Sequence, residues 1–214
     1  MLPTFGWLRS HAAIAFDVDD TLLRTFERSF RKTVHTAALL GCEPPTRRAF
    51  LQGYLRGDQE AGFREWFASM PFKEVQRVYD GLQSDFPDEP LLDFPLLRDR
   101  LRSLGLQDGV LSNSPSWKLN RKLECLGGPE RLSFSLGGDD LPEAKPSPRA
   151  FDPLLRACLL EPPDVLYVGN SAGDWEAARR AGISFLHVRS GPQRWTPPPT
   201  VRNVLEVRML LDLV

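Results

Sequence analysis

The sequence predicts an α/β fold in which helices cover both faces of a parallel sheet, with a small all-helical domain inserted after the first strand. Short apolar runs of strand length recur along the chain, and helical patterns lie between them. Residues 22–87 interrupt this alternation, because they contain helical patterns but no convincing apolar strand. Strands that alternate with helices indicate a parallel sheet, and strands buried on both faces read as continuous apolar runs.

Five apolar runs fit the strands of this sheet. Each is short and is bounded by polar residues or by turn residues. They are AAIAFD (12–17), DGVLSN (108–113), RLSFSLGG (131–138), DVLYVGN (164–170) and ISFLHV (183–188).

Helices between the strands are indicated by apolar stripes and by end signals. Gly105 and Gly182 stand where two helices end, and glycine is favoured just past a helix end. Ser114-Pro115 and Ser147-Pro148 place a capping residue before a proline, which is a typical helix start. The stripes are Leu97, Leu101 and Leu104; Leu119, Leu123 and Leu126; Phe151, Leu154, Leu155, Cys158 and Leu159; and a last helix from Trp175 to Ala181.

The domain organisation follows from these patterns. Residues 1–21 and 88–214 are expected to form the Rossmann-like α/β core, and residues 22–87 the helical domain. The aromatic residues of the helical domain, Trp66 and Phe67 among them, are interpreted as its core. Its cations are expected on solvated helix faces. These cations are Arg24, Arg28, Arg31, Lys32, Arg47, Arg48, Arg56 and Arg64.

Composition excludes several classes of protein. The 214 residues have a formal net charge of -1, which gives no reason to expect nucleic acid or an anionic membrane as a partner. The N-terminal stretch MLPTFGWLRSH is not typical of a signal peptide, and no segment is apolar over the ~20 residues that span a bilayer. We therefore expect a soluble, cytoplasmic protein, and both a monomer and a homodimer stay open.

Metal and disulfide sites built on cysteine or histidine are not indicated. Three widely spaced cysteines and three histidines form neither a zinc set nor a disulfide framework. These cysteines and histidines are Cys42, Cys125, Cys158, His11, His35 and His187.

Residues 192–200 are interpreted as a proline-rich loop.

Polar side chains follow the predicted strands at their carboxyl ends, where ligands bind in open α/β sheets. A carboxylate there can attack phosphorus and form an aspartyl-phosphate, and a second acid can protonate the leaving oxygen and then activate water. A cation and a lysine would be needed to neutralise the two carboxylates and the phosphate. The candidate residues are Asp17, Asp19, Thr21, Ser112, Asn113, Lys145, Asn170 and Asp174.

Two of these segments resemble the first motifs of the haloacid dehalogenase-like hydrolase superfamily. AFDVDDTLL is similar to the family's D-x-D-x-T, which implies that Asp17 is the nucleophile and Asp19 the acid/base. VLSNS is similar to the second motif, which implies that Ser112 and Asn113 contact the phosphoryl group. Thr21 is then expected among the substrate-binding residues. The resemblance further implies that residues 22–87 are a helical cap that closes over the site and selects the substrate.

The third and fourth motifs complete the resemblance. KPSPRAF implies that Lys145 balances the charge of Asp17 and contacts the substrate. YVGNSAGDWEAARRAGI resembles the fourth motif, G-D-S-x-x-D, which implies Mg²⁺ held by Asp17, the Asp19 carbonyl, Asp174 and the residue at position 170. That residue is Asn170 here instead of an acid, which implies a metal site weakened by one charge.

The implied function is a Mg²⁺-dependent phosphatase that acts on a small phosphorylated metabolite, with Asp17, Asp19, Ser112 and Lys145 as catalytic residues. Three alternatives stay open. Asn170 also fits a catalytically weak binding or regulatory relative, and a phosphomutase would share the same motifs. A 2-haloacid dehalogenase would use the same nucleophile without metal, but Asp19 argues against it, because a carbon–halogen leaving group needs no proton.

Overall fold

The computed structural model describes residues 5–192 and 195–214. Within them the chain divides into two compact units. One contains the residues up to Arg24 together with Glu89–Val214, and the other is Thr25–Asp88. The first four residues of the N-terminal stretch and Gln193 and Arg194 of the proline-rich stretch lie outside the described residues.

The helices and strands have the following bounds in chain order. They are α1 (Phe5–Leu8), β1 (Ala13–Phe16), α2 (Thr25–Leu40), α3 (Arg47–Arg56), α4 (Gln59–Trp66), α5 (Phe72–Gly81), α6 (Phe94–Ser103), β2 (Gln107–Leu111), α7 (Ser116–Glu124), β3 (Phe134–Leu136), α8 (Asp152–Cys158), β4 (Val165–Gly169), α9 (Ala172–Ala181), β5 (Ser184–Val188) and β6 (Arg202–Val204). Short 3₁₀ helices cover Pro129–Arg131, Gly138–Asp140, Pro148–Phe151, Pro162–Asp164 and Val207–Asp212.

The sheet has the order β3-β2-β1-β4-β5-β6, and every neighbouring pair is parallel. The predicted α/β fold with a parallel sheet is therefore confirmed. The sixth strand, Arg202–Val204, was not expected from the sequence, because its three residues include only one fully buried apolar side chain, Val204. Because all strands run in one direction, their carboxyl ends meet at one edge, with β1 between β2 and β4.

The core forms two apolar layers, one on each face of the sheet. Alternation along β1 sends Ile14 and Phe16 into one layer and Ala13 and Ala15 into the other, as the period of two requires. Helices α6 and α7 contribute Leu97, Leu101, Leu119 and Leu123 to the first layer, and α8 and α9 contribute Leu154, Ala177 and Ala178 to the second. The sheet is thus covered on both faces, as predicted.

Two helix starts differ from the sequence prediction. Ser114 does not cap α7, which begins at Ser116 after Pro115 without a side-chain cap. Helix α9 begins at Ala172, three residues before the expected Trp175, because Ser171 and Asp174 form a reciprocal capping box. Asp174 of this capping box is also one of the candidate site residues.

The helical unit has its own apolar core, formed by Ala37, Phe63, Phe67, Val75 and Tyr79, with Trp66 packed against it. The expectation that all its cations are solvated is wrong for Arg28 and Lys32. They are buried because polar groups of the same unit reach them.

Arg28 Nε donates to the Phe86 carbonyl at 2.7 Å and lies 3.3 Å from Asp88, whose side chain is also buried. Lys32 Nζ donates to Gln83 at 3.0 Å and lies 4.1 Å from the centre of the Tyr79 ring. No helix of the described residues combines the length and the apolar composition that crossing a membrane requires.

A buried ion pair attaches α6 to β2. Asp108, fully buried within β2, accepts from Arg98 Nε at 3.0 Å and from Arg102 Nε at 2.9 Å. Arg98 is itself only 2% exposed, and the two arginines stand one helical turn apart. The pair fixes the strand that leads to Ser112.

We expect Asp108→Ala to lower the free energy of unfolding by about 3–5 kcal/mol, because Arg98 would stay buried without its counter-charge. Asp99→Ala removes an exposed carboxylate from the same helix and should change stability by less than about 0.5 kcal/mol. Urea denaturation of the three proteins provides the comparison. Equal stabilities for the two variants would contradict this view of the ion pair.

Candidate active site

The carboxyl ends of two neighbouring strands, β1 and β2, deliver the first candidate residues to one edge of the sheet. Asp17 follows β1, and its backbone N–H donates to the Val168 carbonyl of β4 at 2.8 Å. Ser112 follows β2, and its N–H donates to the Leu136 carbonyl of β3 at 3.0 Å. Both backbones thus continue the sheet by one hydrogen bond, which holds their side chains in fixed positions.

Lys145 lies at the centre of the site. Its ammonium donates to Asp17 Oδ1 at 2.8 Å and to Asp174 Oδ1 at 2.7 Å, and all three side chains are at most 10% exposed. The Tyr167 hydroxyl of β4 lies 2.5 Å from Lys145 Nζ and donates to the Leu111 carbonyl at 2.9 Å. Residues far apart in the chain are therefore joined in one buried polar network.

Asn113 holds the backbone of Lys145. Its Nδ2 donates to the Lys145 carbonyl, and its Oδ1 accepts from the Lys145 N–H, both at 2.9 Å. The side-chain amide that the sequence associates with the phosphoryl group is thus occupied by Lys145. The neighbouring Ser112 hydroxyl accepts from the Ser114 N–H at 3.1 Å.

Burial and charge shift the pKa values of the network in different directions. Burial raises the pKa of the Asp17 carboxyl to about 7; Lys145 opposes this shift, and the charges of Asp174 and Asp19 add to it. Burial by itself would lower the pKa of Lys145, but Asp17 and Asp174 outweigh it and raise that pKa well above its ordinary value. Burial also raises the pKa of Tyr167, so its hydroxyl stays protonated. Additional positive charge beside Asp17 would favour its ionised, nucleophilic form.

The two polar residues of the fourth motif have different surroundings. Both carboxylate oxygens of Asp174 accept hydrogen bonds from the protein. Oδ1 accepts from Lys145, and Oδ2 accepts from the Ser171 N–H at 3.0 Å and the Ser171 hydroxyl at 2.6 Å. Asn170, 4% exposed, donates from Nδ2 to the Ser190 carbonyl at 3.4 Å. Asp174 therefore belongs to the lysine network and to the helix cap at once, whereas Asn170 belongs to neither.

Asp19 is held by residues that the sequence interpretation did not select. Lys122 Nζ lies 2.6 Å from both carboxylate oxygens of Asp19, and the Ser114 hydroxyl donates to Oδ2 at 3.1 Å. Lys122 also donates to the Ser114 hydroxyl at 3.0 Å. Thr21, fully buried, places its hydroxyl 3.4 Å from Asp17 Oδ2.

Signals for two of the missed residues are present in the sequence. Lys122 falls at i+3 within the stripe of Leu119, Leu123 and Leu126, a position that faces the core. Tyr167 carries the one hydroxyl group in VLYVG, a run of residues that is otherwise apolar. A polar group at a position that periodicity predicts to be buried needs a partner, and both residues find theirs in this site.

The charge balance of the site is compatible with a bound cation. When all five groups are ionised, Asp17, Asp19 and Asp174 bring three negative charges and Lys122 and Lys145 two positive charges, so the site carries one excess negative charge. Carboxylate and carbonyl oxygens are the ligands that Mg²⁺ prefers. In the described part of the chain, no three histidine, cysteine, aspartate or glutamate side chains converge as a metal cluster. An ion here would therefore depend on carbonyl and carboxamide oxygens alongside Asp17.

Sequence comparison identifies relatives of the chain. The chain is 33% identical to a phosphoglycolate phosphatase from Shigella boydii over 123 residues, which are 55% of this chain and 48% of that protein. The match thus spans about half the length of that relative. It is 26% identical to an N-acetylmuramic acid 6-phosphate phosphatase from Pseudomonas putida over 220 aligned positions, covering 94% of this chain and 96% of that protein.

The fold has counterparts among solved structures. One of them is the crystal structure of CbbY from Rhodobacter sphaeroides in complex with phosphate. It superposes on this chain with a TM-score of 0.73 at 21% identity, and the alignment covers 95% of this chain and 100% of that chain. The sequence model of the haloacid dehalogenase-like hydrolases matches residues 14–188, from β1 to the end of β5. With this match over most of its length, the chain belongs to the haloacid dehalogenase-like hydrolase family.

Proposed function

We propose that the protein is a phosphatase that hydrolyses a small phosphorylated metabolite through an aspartyl-phosphate. The observation that carries this proposal is the pairing of Asp17 with Lys145, two residues from the Asp19 carboxylate, at the edge where the strands end. The Asp17 side chain is 10% exposed and paired with Lys145, and Asp19, with a side chain 27% exposed, is the more accessible of the two acids. This geometry suits a nucleophile and a separate proton carrier.

In the first step, a carboxylate oxygen of Asp17 attacks phosphorus and the bond to the leaving oxygen breaks. Lys145 holds the Asp17 carboxylate in place by its bond to Oδ1. Asp19 gives its proton to the leaving oxygen, which departs as an alcohol.

In the second step, water attacks phosphorus and the bond to Asp17 breaks, releasing inorganic phosphate. Asp19, now a carboxylate, takes the proton of that water. Asp17 then returns to its bond with Lys145, and the enzyme is ready for another substrate molecule.

The residues proposed to bind the transferring phosphoryl group are Lys145, Ser112, Thr21 and Asn113. Lys145 supplies positive charge, and the hydroxyl groups of Ser112 and Thr21 are donors at the same edge. Because the Asn113 carboxamide is paired with the Lys145 backbone, we assign the contact with phosphate to the Asn113 backbone N–H. Fixed donors of this kind stabilise charge that develops in the transition state.

Mg²⁺ is the cation that we propose for this site. Of the four ligands that the resemblance implies, Asp17, the Asp19 carbonyl oxygen and Asn170 would hold the ion directly, while the fourth, Asp174, with both oxygens in hydrogen bonds, would act mainly through Lys145. When bound, the ion would offset the charge of the phosphoryl group and of Asp17.

The substrate is to be identified by assay. We propose the helical unit as the part of the chain that selects it. Phosphate release from a panel of phosphorylated metabolites, with Mg²⁺ and with EDTA, tests the function directly. The panel should contain 2-phosphoglycolate and N-acetylmuramic acid 6-phosphate, which the names of the relatives indicate. Release from no member of the panel would overturn the proposal.

Asp17→Asn should reduce turnover by about three or more orders of magnitude without unfolding the protein, because an amide cannot form the aspartyl-phosphate. Steady-state phosphate release and circular dichroism check the two parts of this prediction. Asp99→Asn, the same change at an exposed position, is the control and should keep full activity. Retention of a tenth of wild-type activity by Asp17→Asn would exclude Asp17 as the nucleophile.

Asp19→Asn should slow phosphoryl transfer from alkyl phosphates about a hundredfold or more and from p-nitrophenyl phosphate much less, because nitrophenolate leaves without a proton. The rates must be single-turnover or burst rates, since Asp19 also acts in the second step. If both substrates slow equally in that first step, Asp19 is not the acid.

Asn170→Asp should tighten Mg²⁺ binding by about tenfold or more, because it adds a full negative charge beside the ion. Both the Mg²⁺ dependence of activity and calorimetry without substrate measure the change. Asn120→Asp adds the same charge at an exposed position of α7 and should leave the titration unchanged. Coincident curves for wild type and Asn170→Asp would place Asn170 away from the metal.

A further inference from the structure

Lys122 occupies a position that a lysine rarely takes. Its side chain is 7% exposed and lies on the face of α7 that also buries Leu119 and Leu123. Burying an ammonium is unfavourable unless charge and hydrogen bonds compensate. The compensation must therefore come from the groups that Nζ reaches.

Those groups are Asp19 and Ser114. Nζ lies 2.6 Å from each oxygen of Asp19 and 3.0 Å from the Ser114 hydroxyl, which itself donates to Asp19 Oδ2 at 3.1 Å. The three side chains thus form a closed triangle. Contact with both oxygens at equal distance opposes rotation of the carboxylate in either direction.

We infer that Lys122 and Ser114 are positioning residues for Asp19, and this inference rests on the proposed phosphatase function. Asp19 has to protonate the leaving oxygen in one step and deprotonate the attacking water in the next, so the orientation of its carboxyl group affects both steps. The Ser114 hydroxyl gives the Lys122 ammonium a second partner, so Lys122 stays in place while Asp19 releases and regains its proton.

The positioning also explains why Ser114 does not cap α7. A capping serine would direct its hydroxyl to the first N–H groups of the helix. Here Pro115 takes the cap position without a side-chain bond, and the Ser114 hydroxyl is directed to Asp19. Helix α7 therefore lacks a side-chain cap, and the Ser114 hydroxyl instead helps to fix the Asp19 carboxylate.

Crystal structures of wild type and Lys122→Met, without substrate, test the inference independently of activity. Methionine keeps the volume and the helical preference of the side chain but removes the ammonium. We expect the Asp19 carboxylate to move by about 1 Å or more in Lys122→Met. An unmoved Asp19 would overturn the inference. A wild type without phosphatase activity would refute the proposed function, and the crystallographic comparison would still decide the role of Lys122.

Kinetics provide the second readout. Lys122→Met should lower kcat for an alkyl phosphate about ten- to a hundredfold and change KM less than about threefold, because misplacing a catalytic group by about 1 Å has effects of this size. Burst-phase transfer from p-nitrophenyl phosphate should change less than about threefold, since it needs no acid. A change in KM alone would overturn the inference, because it would make Lys122 a substrate-binding residue.

Three further variants separate positioning from a general loss of structure. Lys122→Arg, which keeps the charge and two donors, should recover at least about fivefold of the activity lost in Lys122→Met. Lys118→Met, one turn earlier on α7, should be as active as wild type. In the Asp19→Asn background, Lys122→Met should have less than about a twofold further effect, because the two residues act as a unit. Additive losses would overturn the inference.

Discussion

The buried ion network of Lys145 with Asp17 and Asp174 is the interaction on which the architecture of the site depends. A carboxylate buried at the end of the central strand needs a compensating charge, and Lys145 supplies it over 128 residues of sequence separation. The reciprocal Asn113 bonds fix the loop that carries Lys145, and Tyr167 fixes its ammonium. The Lys145 ammonium thereby joins the residue that follows β1, the end of β2, Tyr167 of β4 and Asp174 of α9.

Much of the fold could be predicted from the sequence because the sheet is parallel and buried. Five strands stand out as apolar runs, and their common direction brings the polar residues that follow them to one edge. Strand β6 could not be found in this way, since its three residues carry too little apolar pattern to differ from a loop. The burial of Arg28 and Lys32 was equally inaccessible, because it depends on Phe86, Gln83 and Asp88, far along the chain.

The candidate site shows the same division between local and tertiary information. The residues that follow strands were found because strand ends are visible in the sequence. Lys122 was missed because it lies in a helix, at a position where apolar spacing predicts only packing. Ser114 was interpreted as a helix cap, which is what a serine before a proline does in the absence of tertiary partners. Both residues acquire their role from Asp19, which no local pattern connects with α7.

The capping box of α9 has a consequence for which positions of this loop can vary. Asp174 simultaneously starts a helix and neutralises a buried lysine, so a substitution there disturbs folding and chemistry together. Asn170, 4% exposed, makes one long hydrogen bond to the Ser190 carbonyl and takes no part in the helix cap or in the lysine network. Under the proposed function, position 170 therefore affects the ion without touching the helix cap, whereas a change at position 174 affects the cap and the lysine network together. The departure from the family's fourth motif thus lies at the residue of this loop that is outside both networks.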